Sequence, residues 1–174
     1  MRDRVPTLAI VSDYQTEANF LTGERAQIEA FVADNRREVV DLLDGLTEEQ
    51  ARRRLVPSKT SLLSLVKHLT FVERVWFEVA FEGRTREELG LPAEVDDSFE
   101  LTEDDTVESV RAGYLAAVAT ADSIAARYSL DDVALHNRRS PMSLRWIYLH
   151  LIEEIARHAG HGDILREQIL AEDS

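Results

Sequence analysis

Cysteine is absent from the 174-residue chain, which excludes disulfides, iron–sulfur clusters, thiolate zinc sites and a cysteine nucleophile. Glycine occurs seven times and proline four, so little interrupts regular structure. No apolar run approaches the roughly 18 residues of a membrane span. The N-terminal MRDRVPTLAIVSDYQ has too short an apolar stretch for a signal peptide. Basic charge is in deficit: 20 Lys and Arg stand against 33 Asp and Glu, a net charge of −13. Such a chain gains nothing from counterion release on a phosphate backbone and is repelled by anionic membrane surfaces. The expectation is a soluble cytoplasmic protein without nucleic-acid or membrane partners. What is present, 44% hydrophobic and 30% charged residues, suffices for one domain with a real core.

Between the few breakers the apolar residues recur at helical spacing in stretches rich in Ala, Leu, Glu and Arg. A first helix is expected from Thr22, carrying Ile28, Phe31, Val32, Val39, Leu42 and Leu43 to a stop at Gly45. Thr47-Glu48-Glu49-Gln50 spells a capping box for a short helix. A second long helix is expected from Thr60 or Ser61 to about Gly83, a third from Asp105 or Thr106 to near Tyr128, and a fourth from Ser143 to about Leu170. The acidic stretch 84–105 reads as a long, solvated crossover, and 131–141 as a connection. This pattern predicts an all-α four-helix bundle over residues 22–174, preceded by an extension, 1–21.

Bundle interiors are common places for metal sites, so the histidines carry the functional question. On a wheel advancing about 100° per residue from His150, the apolar stripe of the last helix falls between about 60° and 140°. His158 lands near 80°, inside the stripe, with Glu154 near 40° and His161 near 20° at its edge. Glu154 and His158, four residues apart, stack on one face and can reach one cation. His68 flanks the stripe of the second helix and can meet them if those two helices are neighbours. A His/Glu/His set is a recognised open metal site. The same groups can also form a hydrogen-bonded core network, and spacing alone leaves both readings open.

Thr60-Ser61-Leu62-Leu63-Ser64-Leu65-Val66-Lys67-His68-Leu69, followed by Val72-Glu73-Arg74-Val75-Trp76-Phe77, resembles the second helix of DinB-like proteins, most closely an actinobacterial-type branch. A second block matches as well: Trp146, His150, Glu153-Glu154, Arg157-His158-Ala159-Gly160-His161-Gly162-Asp163 and Leu165-Arg166-Glu167. The resemblance spans roughly residues 24–170. It implies a bundle of up-down-down-up order with a long crossover and a metal held by one ligand on the second helix and two on the fourth. Many DinB-like proteins carry His-x-x-x-His on that last helix. Glu154 departs from this and is similar to the mycothiol-dependent maleylpyruvate isomerase group, where Glu and His form the pair. The implied ligands are therefore His68, Glu154 and His158, with His161 as a neighbour or additional ligand. Zn²⁺ is the first expectation for the metal, Ni²⁺ or Mn²⁺ the alternatives.

The superfamily includes S-transferases using bacillithiol or mycothiol and thiol-dependent isomerases. An open ligand position lets a divalent cation lower the pKa of a bound thiol or water. Lacking cysteine, this chain would take a low-molecular-weight thiol as cosubstrate. The expected function is a metal-dependent thiol S-transferase or related small-molecule transferase or isomerase. The alternatives are a metal-dependent hydrolase, or a noncatalytic homodimeric interaction or stress-response bundle with a vestigial site. Glu73 and Glu153 are candidate general bases, although Glu153 is turned about 100° from Glu154 toward solvent. His150 reads as a neighbour of the site, His136 as a loop residue, Trp76 and Trp146 as core or interface fillers, and Arg52-Arg53-Arg54 as a solvated helix face. A homodimer is expected from the family habit and from Trp76, Phe77 and Phe81, more apolar bulk than one seam requires.

Overall fold

Three of the helix starts are secured by reciprocal side-chain bonds. In a computed structural model that describes residues 14–172, α1 (Gln15–Ala18) and α2 (Glu24–Asp41) are followed by the short α3 (Glu48–Arg52). The expected capping box opens α3, with Thr47 Oγ1 accepting from Gln50 N at 3.2 Å and Gln50 Oε1 from Thr47 N at 2.9 Å. Ser61 and Ser64 do the same for α4 (Leu62–Arg74), and Thr106 and Ser109 for α5 (Val107–Ala125). Each box satisfies two backbone donors that a helix start leaves bare. At α2 the expectation shifts by a residue: Gly23 is the cap, and the Thr22 hydroxyl donates back to Asn19 O instead. Gly45, at φ 70°, closes the turn beyond α2 in the left-handed region that suits glycine.

The second long helix does not run regularly to Gly83. After Arg74 it continues as a π turn, Val75–Val79, with Ala80 N donating to Val75 O at 3.1 Å. Such turns are uncommon and concentrate at functional sites. The crossover carries a 3₁₀ turn, Asp96–Phe99. The connection after α5 carries a two-residue antiparallel ladder, β1 (Val133–Ala134) with β2 (Met142–Ser143), and α6 (Leu144–Glu172) completes the chain. The result is mostly helical, as the periodicity requires.

α4 packs on α5 and on α6, and α2 packs on α6. The core between them is built from the predicted stripes, including Leu65 and Leu69 of α4 and Leu151 and Ile155 of α6, all essentially inaccessible. Gly162 lets α2 approach α6 closely, because a Cβ there would stand 2.4 Å from Leu42 Cδ1. Of the N-terminal extension expected over 1–21, residues 1–13 lie outside the described residues. The part that is described docks on α2, where the Asp34 carboxylate accepts from Gln15 N and Thr16 N at 2.8 and 2.9 Å.

The acidic crossover is exposed, as a solvated connection should be, and it pairs with basic residues around it. Lys59 pairs with Asp96 and Glu100 at 2.9 Å, Lys67 with Asp105 at 2.7 Å, and Arg52 donates to the carbonyls of Thr102 and Asp105. The side chains that suggested a dimer are used internally. Trp76, Phe77 and Phe81 are all buried, Phe81 against Tyr128 with ring centroids 4.5 Å apart.

Candidate metal centre

α4 and α6 bring His68, Glu154 and His158 together, with one ligand atom from each lying within 4.8 Å of the other two. Glu154 Oε1 is 3.3 Å from His158 Nε2 and 3.6 Å from His68 Nε2. Donors around a tetrahedral zinc, about 2.0–2.2 Å from the ion, stand roughly 3.3–3.5 Å apart. The two measured separations bracket that value.

His68 is only 3% exposed, and the crossover holds it. Ser98 Oγ is 2.7 Å from His68 Nδ1, while its own proton goes to Val95 O at 2.5 Å. A hydroxyl has one proton to give, so Ser98 must accept from Nδ1–H, and this fixes the tautomer. His68 Nε2 then turns a bare lone pair toward the Glu154 carboxylate. Phe99 stacks on the other aspect of the ring, centroids 4.0 Å apart and planes 12° off parallel. Metal-ligating histidines characteristically donate their second nitrogen in this way.

The electrostatics point in the same direction. Burial pushes the His68 pKa down, against hydrogen bonding to Glu154, so a proton is a poor bridge between them. Interaction first with His158 and then with His68, which donate to it only when their facing nitrogens carry a proton, holds the Glu154 carboxyl well below the usual carboxylate range, against the desolvation that would raise it. An ionised carboxylate faces two imidazole nitrogens in a largely apolar core. His158 Nδ1 is buried with no hydrogen-bond partner, so hydrogen bonding alone does not account for that ring's position. Three electron-rich atoms at these separations fit a shared divalent cation, and the donor set suits zinc or a similar ion.

The other singled-out residues separate clearly. His161 is exposed, its ring centroid 5.9 Å from that of His158, and it stands outside the trio. Glu73 is committed elsewhere, receiving both Nε and Nη2 of Arg36 at 2.7 Å. Glu153 faces solvent and pairs with Arg157. Neither is placed to act as a base at the trio. His68 and Glu154 line a cleft of about 190 Å³ whose walls include Val72, Val75 and Trp76. Trp76 is thus a wall of the site rather than only a core filler. His150 lines the same cleft, edge-on to Trp76 at 5.0 Å and stacked on Trp146 at 5.1 Å. His136, the loop residue, also reaches it, donating its N–H to Ala80 O and resting its ring on Gly83.

Ser98 and Phe99 are the functional residues that sequence reasoning missed. Their signal was faint: a serine and a phenylalanine inside an otherwise acidic, aperiodic run. Ser98→Ala should free the His68 ring and weaken metal affinity by about tenfold or more, the scale for losing such an outer partner. Titration with a competing chelator measures this, and an unchanged affinity would remove Ser98 from the site.

Fold and site together define a helical bundle whose core holds a group able to bind a metal ion. The chain belongs to the mycothiol-S-transferase family, whose model matches residues 27–171 and so takes in every residue of the trio and both helices that carry it. This agrees with the resemblance to DinB-like proteins. No curated protein matches the chain.

Proposed function

We propose that the protein is a divalent-metal-dependent thiol S-transferase that holds its metal, zinc or a similar ion, through His68, Glu154 and His158. The observation that carries this reading is the His68–Glu154–His158 geometry in a chain of the mycothiol-S-transferase family. A divalent cation there would lower the pKa of a small thiol so that it reacts as thiolate at neutral pH. The thiol comes from a cosubstrate of the mycothiol type, since the chain has no cysteine.

The residues have distinct tasks. His68, Glu154 and His158 bind the ion, and Ser98 and Phe99 hold the His68 ring so that Nε2 faces inward. Val72, Val75 and Trp76 keep the cleft wall apolar, which strengthens electrostatic interactions inside it. In the transfer a sulfur–carbon bond forms and the leaving group departs with the bonding electron pair. The thiol proton is released to solvent.

Protein purified without chelator should contain close to stoichiometric divalent metal and consume mycothiol in the presence of 1-chloro-2,4-dinitrobenzene. Exhaustive chelation should abolish the consumption, and added Zn²⁺ should restore it. A preparation that stays metal-free after dialysis against Zn²⁺, Ni²⁺ and Mn²⁺ ends this reading.

A further inference from the structure

The cleft over His68 and Glu154 has an unexpected charge. The chain as a whole carries −13, yet the same cleft is lined by Arg86, Arg138 and Arg139 together with His136 and His150, and by one carboxylate, Glu154. Several other arginines are paired with acids: Arg74 and Arg84 share Glu78 at 2.7 and 2.8 Å, and Arg127 and Arg145 have acidic partners. Among the described residues, Arg86, Arg138 and Arg139 make no ion pair with a carboxylate. Arg86 donates to the Ala93 carbonyl at 2.6 Å. Glu94, whose charge Arg86 feels, makes no ion pair with it.

The segments that bear these cations are anchored. The loop bearing Arg138 and Arg139 hangs between the paired residues Ala134 and Met142, and His136 N–H ties it to Ala80 O at 3.1 Å. The Arg86 guanidinium sits 4.9 Å from the Phe71 ring centroid, and Phe71 in turn lies 6.3 Å from His68. A single aromatic ring therefore touches both the cation and a member of the trio. The groups also sense one another. Burial and then Arg138 reduce the proton affinity of Arg86, and Arg139 is among the charges that disfavour protonated His150. Unpaired cations converging on a partly apolar cleft in an acidic protein raise the local concentration of anions. A volume of about 190 Å³ falls below the ~300–1,000 Å³ of drug-sized pockets, so the anion is small.

Building on the thiol-transfer reading, we infer that the second substrate is a small carboxylate-bearing electrophile whose carboxylate is received by Arg86, Arg138 and Arg139 while its reactive carbon faces the trio. Guanidinium groups suit this because their planar fork matches a carboxylate. The arginines bind and orient; they take no part in the bond changes.

A matched pair of unreactive probes tests this: 3,5-dinitrobenzoate and its neutral analogue 1,3-dinitrobenzene. The chain has two tryptophans, Trp76 in the cleft wall and Trp146 5.6 Å from it. Quenching of intrinsic fluorescence by the nitroaromatic therefore reports binding at this place, with or without metal and thiol. The carboxylate probe should bind about tenfold or more tightly than the neutral one, with an affinity that falls as salt is raised. Arg138→Gln/Arg139→Gln, at two exposed positions, should bring the two affinities together, as should Arg86→Gln, whereas Arg127→Gln outside the cleft should keep the preference. Should the arginine variants fail to fold, the wild-type affinity ratio and its salt dependence still decide. Equal affinities for the two probes, or no binding of the carboxylate, overturn the inference. In turnover with mycothiol, 4-chloro-3,5-dinitrobenzoate should be preferred to 1-chloro-2,4-dinitrobenzene. Carboxylate preference in binding without any thiol consumption would leave the anion site standing and remove the S-transferase reading. Thiol consumption with no preference would do the reverse.

Discussion

Glu154→Gln should abolish the effect of chelation on stability. The side chain keeps its size and part of its hydrogen bonding but loses the charge that a divalent ion requires. With metal at about 100 times its dissociation constant, binding stabilises the wild-type fold by about 2.7 kcal/mol. For a chain of this length that corresponds to roughly 5–11 °C in Tm. EDTA should therefore lower the wild-type midpoint by several degrees and leave the variant nearly unmoved, and metal affinity should fall by about tenfold or more. Four thermal scans, wild type and variant with and without EDTA, contain the answer. An ion pair of purely structural purpose between Glu154 and His158 would give the opposite pattern. The wild type would ignore EDTA, and the variant would lose roughly 0.5–3 kcal/mol as a broken hydrogen-bonded pair does.

The largest loss of stability is expected away from the metal centre, at the junction of α2, α4 and α5. Glu73 is 1% exposed and Arg36 6%. The carboxylate takes two guanidinium nitrogens, and Arg36 Nη1 reaches on to Asp122 at 2.7 Å. Burial works against the Arg36 charge, but Glu73 and Asp122 outweigh it and push its pKa up. Removing Arg36 strands Glu73 as a buried charge, and removing Glu73 leaves the buried Arg36 with only the exposed Asp122; breaking such a buried pair costs about 3–5 kcal/mol. Arg36→Met or Glu73→Leu should therefore each lower Tm by roughly 6–20 °C. The double variant should lose far less than the sum, because no buried charge is then left without a partner, Asp122 being 60% exposed. Urea unfolding of the three variants would measure this. Single variants within about 1 kcal/mol of wild type would show that the junction is more hydrated than its geometry implies. Metal content should stay near wild type in all three, since Glu73 makes no contact with the trio.

The chain's own order determined a good deal. Helix periodicity and capping residues are local, because side chains three or four apart meet on one face whatever the rest of the molecule does. Thr47 and Gln50, Ser61, and Thr106 could therefore be read as caps, and the α6 stripe put Glu154 and His158 on one buried face before any packing was known. The family resemblance joined His68 to them. Tertiary structure decided what joins residues far apart in sequence. Glu73 belongs to Arg36, 37 positions away, because α2 and α4 meet there, and no periodicity could assign a buried carboxylate to one site or the other. Ser98 reaches His68 across 30 positions, from a crossover with no period at all. Its short 3₁₀ turn exists where Lys59 and the acids around it neutralise each other against α4. The arginines of the cleft come from two separate loops, and their significance lies in what they lack, an acidic partner. That absence is a property of three-dimensional neighbours, so only packing could reveal it.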